Sequence, residues 1–282
     1  MGYMHIENLY KSPEFLACFA LEKIHGTSAH VGYRAGSLAL FAGGVSHAAF
    51  AALFDGPALA AAFAARFAPE RKVVVYGEAF GGKCQGMSET YGKELRFLAF
   101  DVQIDEVWLD VKAAAGLVAE LGLGFVPYEG GPLTLEFLDA QRDRPSLVSP
   151  FPGKIREGIV VRPVRELMHK DGRRVIAKHK RDEFRETHTV RSSDPAALAV
   201  LSDATAIAEE WVTPMRLEHV LQRVPFAGDA DILAVIIAMQ EDVQREGAGE
   251  IAWSKPALAA VGRATVALLR RVAASDATWR PA

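Results

Sequence analysis

The stretch Lys72-Val73-Val74-Val75-Tyr76-Gly77-Glu78-Ala79-Phe80-Gly81-Gly82 constrains the fold most, because β-branched and aromatic residues run together and stop at glycines, the signature of a strong strand. Further strands are expected along the same half of the chain. Phe19 to Leu21 reads as the end of a buried strand, and Ala29 to Tyr33 and Leu38 to Phe41 flank Arg34-Ala35-Gly36-Ser37, a polar turn suited to a hairpin. Leu95 to Val102 is another strand. Glu157-Gly158 opens a β-branched run to Pro163, and Arg173 to Lys180 follows the turn at Asp171-Gly172. Helical spacing intervenes in His47 to Phe67, broken at Gly56-Pro57, in Asp110 to Leu121 and in Pro132 to Ala140, with a polar loop from Gln141 to Gly153.

From Asp194 onward only helical spacing remains: Pro195 to Trp211, Met215 to Val224, Asp229 to Glu246 and Ser254 to Ala274, with capping-type starts at Asp194, Asp229 and Ser254. The expected class is therefore α+β, an antiparallel-sheet domain over 1–193 followed by a small all-helical domain over 194–282.

A length of 282 residues exceeds what one typical core needs, and 50% hydrophobic with 24% charged residues is ordinary globular composition. A net charge of −3 gives no global basic signature, so any nucleic-acid surface must be local. Cys18 and Cys84 are the only cysteines, which argues against a disulfide scaffold or a cysteine zinc site. The N-terminus lacks a signal pattern and no apolar run approaches a membrane span, so a cytoplasmic chain without a membrane partner is expected.

Chemistry concentrates first at Leu21-Glu22-Lys23-Ile24-His25-Gly26-Thr27-Ser28. The strand preceding Lys23 carries it to the edge of a core, where desolvation favours an uncharged, nucleophilic amine. Gly26 lets the backbone turn tightly beside a bound phosphate. The same KxxG spacing recurs at Lys83-Cys84-Gln85-Gly86, and Gly77 to Lys83 also fits the GxxxxGK phosphate-binding loop. Against that loop, Cys84 stands where Ser or Thr should ligate magnesium, and Gln85 to Tyr91 is no apolar helix. Strict alternation puts Phe97, Ala99 and Asp101 on one face of their strand and Leu98 and Phe100 on the other. It also aims Lys178 and Lys180 at one face, where an anion between them would relieve their repulsion.

In chain order, Lys23-x-x-Gly26, Glu78, Phe97-x-x-Phe100-Asp101, Glu157-Gly158 and Lys178-x-Lys180 resemble the motifs of covalent nucleotidyltransferases, the superfamily of polynucleotide ligases and capping enzymes. Glu-Lys-Ile-His-Gly-Thr and Glu-Gly-Ile-Val-Val-Arg-Pro are most similar to the RNA ligase 2 family, of bacteriophage and kinetoplastid-editing type. Trp211-Val212-Thr213-Pro214-Met215-Arg216-Leu217 is similar to the start of that family's helical C-terminal domain.

The resemblance implies an N-terminal nucleotidyltransferase domain and an ATP-dependent RNA ligase acting as a monomer through lysyl-AMP and 5′-adenylylated RNA. It implies RNA partners with 5′-phosphate and 3′-hydroxyl ends, nicked duplexes among them, and Mg²⁺ or Mn²⁺ as metal. Lys23 would attack the ATP α-phosphate, and Glu22 and His25 would line the nucleotide and phosphate side. Backbone groups from Glu22 to Ile24, beside Gly26, would select adenine. Glu78 would bind the ribose, Phe97 would stack on adenine with Phe100 as second choice, Glu157 would organise metal and nucleophile, and Lys178 and Lys180 would hold the α-phosphate. Two positions depart from the pattern: Ser28 stands where asparagine is usual, and Phe41-Ala42-Gly43-Gly44 lacks the usual arginine. The alternatives are a P-loop phosphotransferase using Gly77 to Lys83 and a catalytically weak nucleic-acid-end binding protein on the same fold.

Overall fold

The computed structural model describes residues 16–189, 200–224 and 226–275. The chain divides into two compact units between Arg181 and Asp182. The boundary expected at Ser193, the cap at Asp194 and the helix start at Pro195 lie outside the described residues.

In chain order the first unit holds β1 (Ala17–Lys23), β2 (Thr27–Arg34), β3 (Ser37–Ala42), α1 (His47–Ala51), α2 (Gly56–Ala64), β4 (Val73–Gly81), α3 (Ser88–Tyr91), β5 (Leu95–Ile104), β6 (Val107–Trp108), α4 (Val111–Glu120), β7 (Tyr128–Pro132), α5 (Leu135–Arg142), β8 (Gly158–Pro163) and β9 (Ala177–Lys180). They build two antiparallel sheets, ordered β7-β1-β8-β9 and β3-β2-β4-β5-β6. The β2–β3 hairpin reverses through Ala35 and Gly36 at φ 51° and 73°, the two left-handed positions of a two-residue turn. Ser46, Asp55 and Asp110 cap α1, α2 and α4 by accepting from the backbone N–H three residues on.

The five-stranded sheet buries one face under α2 and α4, where Val31, Tyr33, Val73, Val75 and Val102 meet Phe63, Leu117 and Val118. Each such side chain contributes roughly 1.5–3 kcal/mol on leaving water. Along β2 the odd positions go into this core, which sends Ser28 and His30 to the opposite face.

Several elements differ from the sequence expectation. The helix expected from Asp229 starts only at Ile232 and has no side-chain cap, so the capping start at Asp229 is not made. β7, Tyr-Glu-Gly-Gly-Pro, has neither alternation nor β-branched residues; main-chain pairing with β1 from Leu21↔Tyr128 to Ala17↔Pro132 makes it an edge strand, where proline is tolerated. α5 starts later than Pro132, where Thr134 accepts from the Phe137 N–H at 3.3 Å. The strand expected from Arg173 is regular only from Ala177.

The largest departure is in β5. Tyr76 pairs with Asp101 but Gly77 pairs with Ala99, so Phe100 is the extra residue of a β-bulge. Before it, Phe97 and Ala99 face the core; after it, Val102 does, and Asp101 joins Phe100 on the other face. Strict alternation across this strand is thereby overturned.

The second unit holds α6 (Ala204–Trp211), α7 (Pro214–Arg223), α8 (Ile232–Glu246) and α9 (Lys255–Ser275) around Ile207, Trp211, Leu217, Met239 and Val261. Asp203 caps α6 and Ser254 caps α9. Buried Asp242 binds Arg216 and Arg223, each at 2.6 Å, and also Arg245, which ties α7 to α8. Among the described residues no helix is long and apolar enough to cross a membrane.

Candidate active site

The register of the four-stranded sheet assembles the reactive groups. Lys23 ends β1 opposite Gly158, the first residue of β8, and Gly158 lies opposite Lys180 on its other side. Glu157, one residue earlier, is 1% exposed and sits between the two ammonium groups: Lys23 Nζ is 2.8 Å from Oε2 and Lys180 Nζ is 2.9 Å from Oε1. His25 Nδ1 is 3.5 Å from Oε2. Burial alone would push the Glu157 carboxyl up, but Lys23, His25 and Lys180 outweigh it and hold the group well below the usual carboxylate range.

On the facing strand, Glu78 accepts from the Gly26 N–H at 3.1 Å. Burial pushes the Glu78 carboxyl up to about 7, with Glu157 adding to the effect and Lys23 and the Gly26 N–H offsetting part of it. A Cβ on Gly26 would lie 2.3 Å from the Ala79 carbonyl oxygen. The glycine is therefore required by the close passage of β4, a reason distinct from the phosphate clearance expected from sequence. Glu22 is buried and accepts from Ser146 Oγ and the Leu147 N–H, with Arg156 Nη2 at 3.4 Å, so its carboxylate anchors the loop that sequence reads as merely polar.

These groups open on a cavity of about 290 Å³ whose lining includes Glu22, Lys23, Ile24, Glu78, Phe100 and Val160. Phe97 does not line it. Its ring packs edge-on against Phe50 and Phe54, at 5.5 and 5.7 Å, on the core side of the sheet. Gly77 makes that possible, since a Cβ there would sit 2.4 Å from the Phe97 ring. The bulge thus exchanges the two candidates, putting Phe100 at the cavity and Phe97 in the core. His25 reaches Glu157 from outside the cavity lining. Lys178 lies opposite Val160, on the cavity face by register, with its side chain exposed.

The sequence model of the RNA ligase family matches residues 17–180, more than half of the chain and every position from Glu22 to Lys180. The chain belongs to the RNA ligase family. Similar solved structures are a mutant Naegleria gruberi RNA ligase with AMP and Mn (18% identity, 62% of this chain and 53% of that chain, TM-score 0.48), and Naegleria gruberi RNA ligase with PPi (21% identity, 60% and 50%, TM-score 0.46). A further mutant with ATP and Mn has 19% identity, 60% and 51% coverage and a TM-score of 0.44. The chain spans about half the length of these structures. No curated protein matches it.

The RNA ligase match ends at Lys180, one residue before the first unit ends at Arg181. Within it, the phosphate-loop alternative meets the wrong backbone: Gly77 to Gly81 lie inside β4, a 3₁₀ turn at Cys84–Gly86 follows, and Lys83 is exposed away from the cavity. A P-loop needs a helix N-terminus at that point. A larger open groove of about 840 Å³ in the helical unit, lined by Leu201, Ala264 and Leu268 among others, has no lysine in its lining.

Sequence reasoning missed the far wall of the cavity, formed by Tyr76, Asp101, Trp108, Arg162 and Arg174. Arg162, 2% exposed, donates to Asp101 at 3.0 Å and Glu166 at 2.8 Å. Arg174 bonds the same two carboxylates and lies 4.1 Å over the Trp108 ring. One signal was available: an arginine amid Ile159-Val160-Val161 is buried by its neighbours and must find carboxylates.

Proposed function

We propose that this RNA ligase family member joins RNA strands using ATP, through a covalent lysyl-AMP. The observation that carries the reading is the Lys23–Glu157–Lys180 cluster, whose Lys23 lines an aromatic-walled cavity. Nζ of Lys23, after losing a proton to solvent, bonds to the α-phosphorus as the bond to pyrophosphate breaks. Glu157 orients the amine; a carboxylate held so far below its usual range is a weak base. Lys180 and Lys178 stabilise the charge that gathers on the α-phosphate oxygens. Phe100 takes the stacking role against adenine, and Glu78 accepts from the ribose hydroxyls. AMP then passes to an RNA 5′-phosphate, and a 3′-hydroxyl, at a nick or a free end, displaces it.

For a divalent metal, no group of three His, Cys, Asp or Glu side chains converges among the described residues. A Mg²⁺ or Mn²⁺ ion at Glu157 would have to take the place of Lys23 or Lys180 at one of its oxygens, now held at 2.8 and 2.9 Å, with water and substrate phosphates completing its shell. Bound there it would supply charge neutralisation to the leaving pyrophosphate.

Incubation with α-labelled ATP and Mg²⁺, then denaturing electrophoresis, tests the reading. A labelled protein band is expected. Binding of RNA ends without any band would instead favour the weak end-binding alternative, which rests on Ser28 and on the arginine missing near Gly43.

A further inference from the structure

The cavity-side face of the five-stranded sheet carries a row of rings that the adenylylation chemistry does not use up. Phe41 of β3, His30 of β2 and Tyr76 of β4 lie opposite one another on successive strands, and Trp108 of β6 meets Tyr76 across β5. Their centroids are 5.1, 5.8 and 5.2 Å apart, and the Arg174 guanidinium closes the row over Trp108. The inner half, Tyr76 and Trp108, belongs to the cavity wall. The outer half leaves the cavity and ends on Phe41, a ring that is 50% exposed and lies 22° from parallel with His30.

The surroundings suit a flat ligand. Gly32 pairs with Ala39 beside the His30–Phe41 pair, so small residues flank the rings on the same face. Exposed Ser28 and Arg34 lie along β2 on that face, within its polar edge. Burial holds the His30 imidazole below its ordinary value, so the ring is neutral at pH 7 and stacks without a charge. A strip one ring wide is far narrower than the ~800 Å² per partner of an ordinary protein interface. It matches a nucleobase, whose π-face stacks on aromatic rings regardless of sequence.

We propose that Phe41 over His30 is a stacking platform for one unpaired base of the RNA strand whose end enters the cavity. This rests on the strand-joining reading, and it gives the aromatic residue at Phe41 a purpose at the place where the family's usual arginine is missing. The platform would favour single-stranded or frayed ends, because a base held in a duplex cannot present its face to a ring on the sheet surface.

The test uses the full chain and 5′-phosphorylated single-stranded RNA carrying 2-aminopurine at each of the first few positions in turn. One position should be quenched on binding. Phe41→Ala should abolish that quench and weaken RNA binding by roughly fivefold to 150-fold, the span for loss of one stacked base, while Phe41→Tyr restores both and labelling by ATP stays unchanged in each. An abasic residue at the quenched position should weaken binding to the unaltered protein but not further weaken binding to Phe41→Ala. Equal RNA affinity and quenching in Phe41→Ala would overturn the platform alone. So would an abasic penalty of the same size in both proteins, loss of ATP labelling in Phe41→Ala, or a change in oligomeric state with RNA binding untouched. Failure of the unaltered protein to bind RNA at all would take down the strand-joining reading together with this one.

Discussion

Truncating Phe100 and Phe97 separately to alanine should produce opposite phenotypes, although the two rings stand three residues apart in one strand. Phe100 lines the cavity, so Phe100→Ala removes a stacking surface for adenine and should raise the ATP concentration needed for half-maximal labelling. A stacked base is worth about 1–3 kcal/mol, which corresponds to a fivefold to 150-fold loss. Phe97 instead contacts Phe50 and Phe54 and fills the space Gly77 leaves open. Buried Phe→Ala changes cost about 3–5 kcal/mol, and because Phe97 is only partly buried a smaller loss, about 2–3 kcal/mol, is expected. In a domain of this size that lowers Tm by roughly 4–12 °C. Thermal melts and labelling titrations with α-labelled ATP, run on both variants, separate the two effects. A Phe97→Ala protein with parental Tm and poor ATP use, beside a Phe100→Ala protein that labels normally, would refute the bulge argument.

Lys23→Ala should abolish the labelled band and Lys83→Ala should not, because Lys83 is exposed and does not line the cavity; equal loss in both would reject Lys23 as nucleophile. Gly26→Ala should be destabilised and label poorly, since its Cβ would collide with the Ala79 carbonyl; a soluble variant with parental melting and activity would show that β4 can yield. Glu78 binds its proton near pH 7 in the folded protein, against an ordinary 4.5, so the folded chain holds more protons between those values and the group subtracts stability as pH rises through that window. Glu78→Gln should therefore match the parent in urea at pH 4 and exceed it by about 3 kcal/mol at pH 8, and a difference that does not grow with pH would contradict a buried carboxyl. A fragment ending near Ser193 should still form lysyl-AMP yet fail to seal nicked RNA; sealing at the full-length rate would leave the helical unit another task, such as partner binding.

Much of this architecture was legible because its signals are local. The Arg34–Ser37 turn, the break in helical spacing at Gly56-Pro57, the helical spacing from Asp110 and the valine run at Val73–Val75 each act within a few residues, and each falls where the pattern places it. Lys23, Glu157 and Lys180 were assigned by motif order, and the strand register that brings them to one carboxylate agrees with that grouping. Features decided across the chain were not legible. Edge strand β7 is held by main-chain bonds that Gly130 and Gly131 offer as readily as any residue, and the anchoring of Glu22 by Ser146 joins positions 124 residues apart. The buried pairing of Arg162 with Asp101 is likewise a long-range choice, visible only once β5 and β8 are placed.

The single extra residue at Phe100 also makes β5 a strand with two separately adjustable halves. Substitutions at Phe97 or Ala99 are felt by the hydrophobic layer, and those at Phe100 or Asp101 by the pocket. Losing one residue between Leu95 and Phe100 would carry a different set of side chains to each layer at once. Homologous chains can therefore exchange side chains along β5 freely, but a length change there would transpose interior and pocket. Variation in this segment should be confined to replacement, with insertions and deletions displaced to exposed turns such as that at Lys170–Gly172.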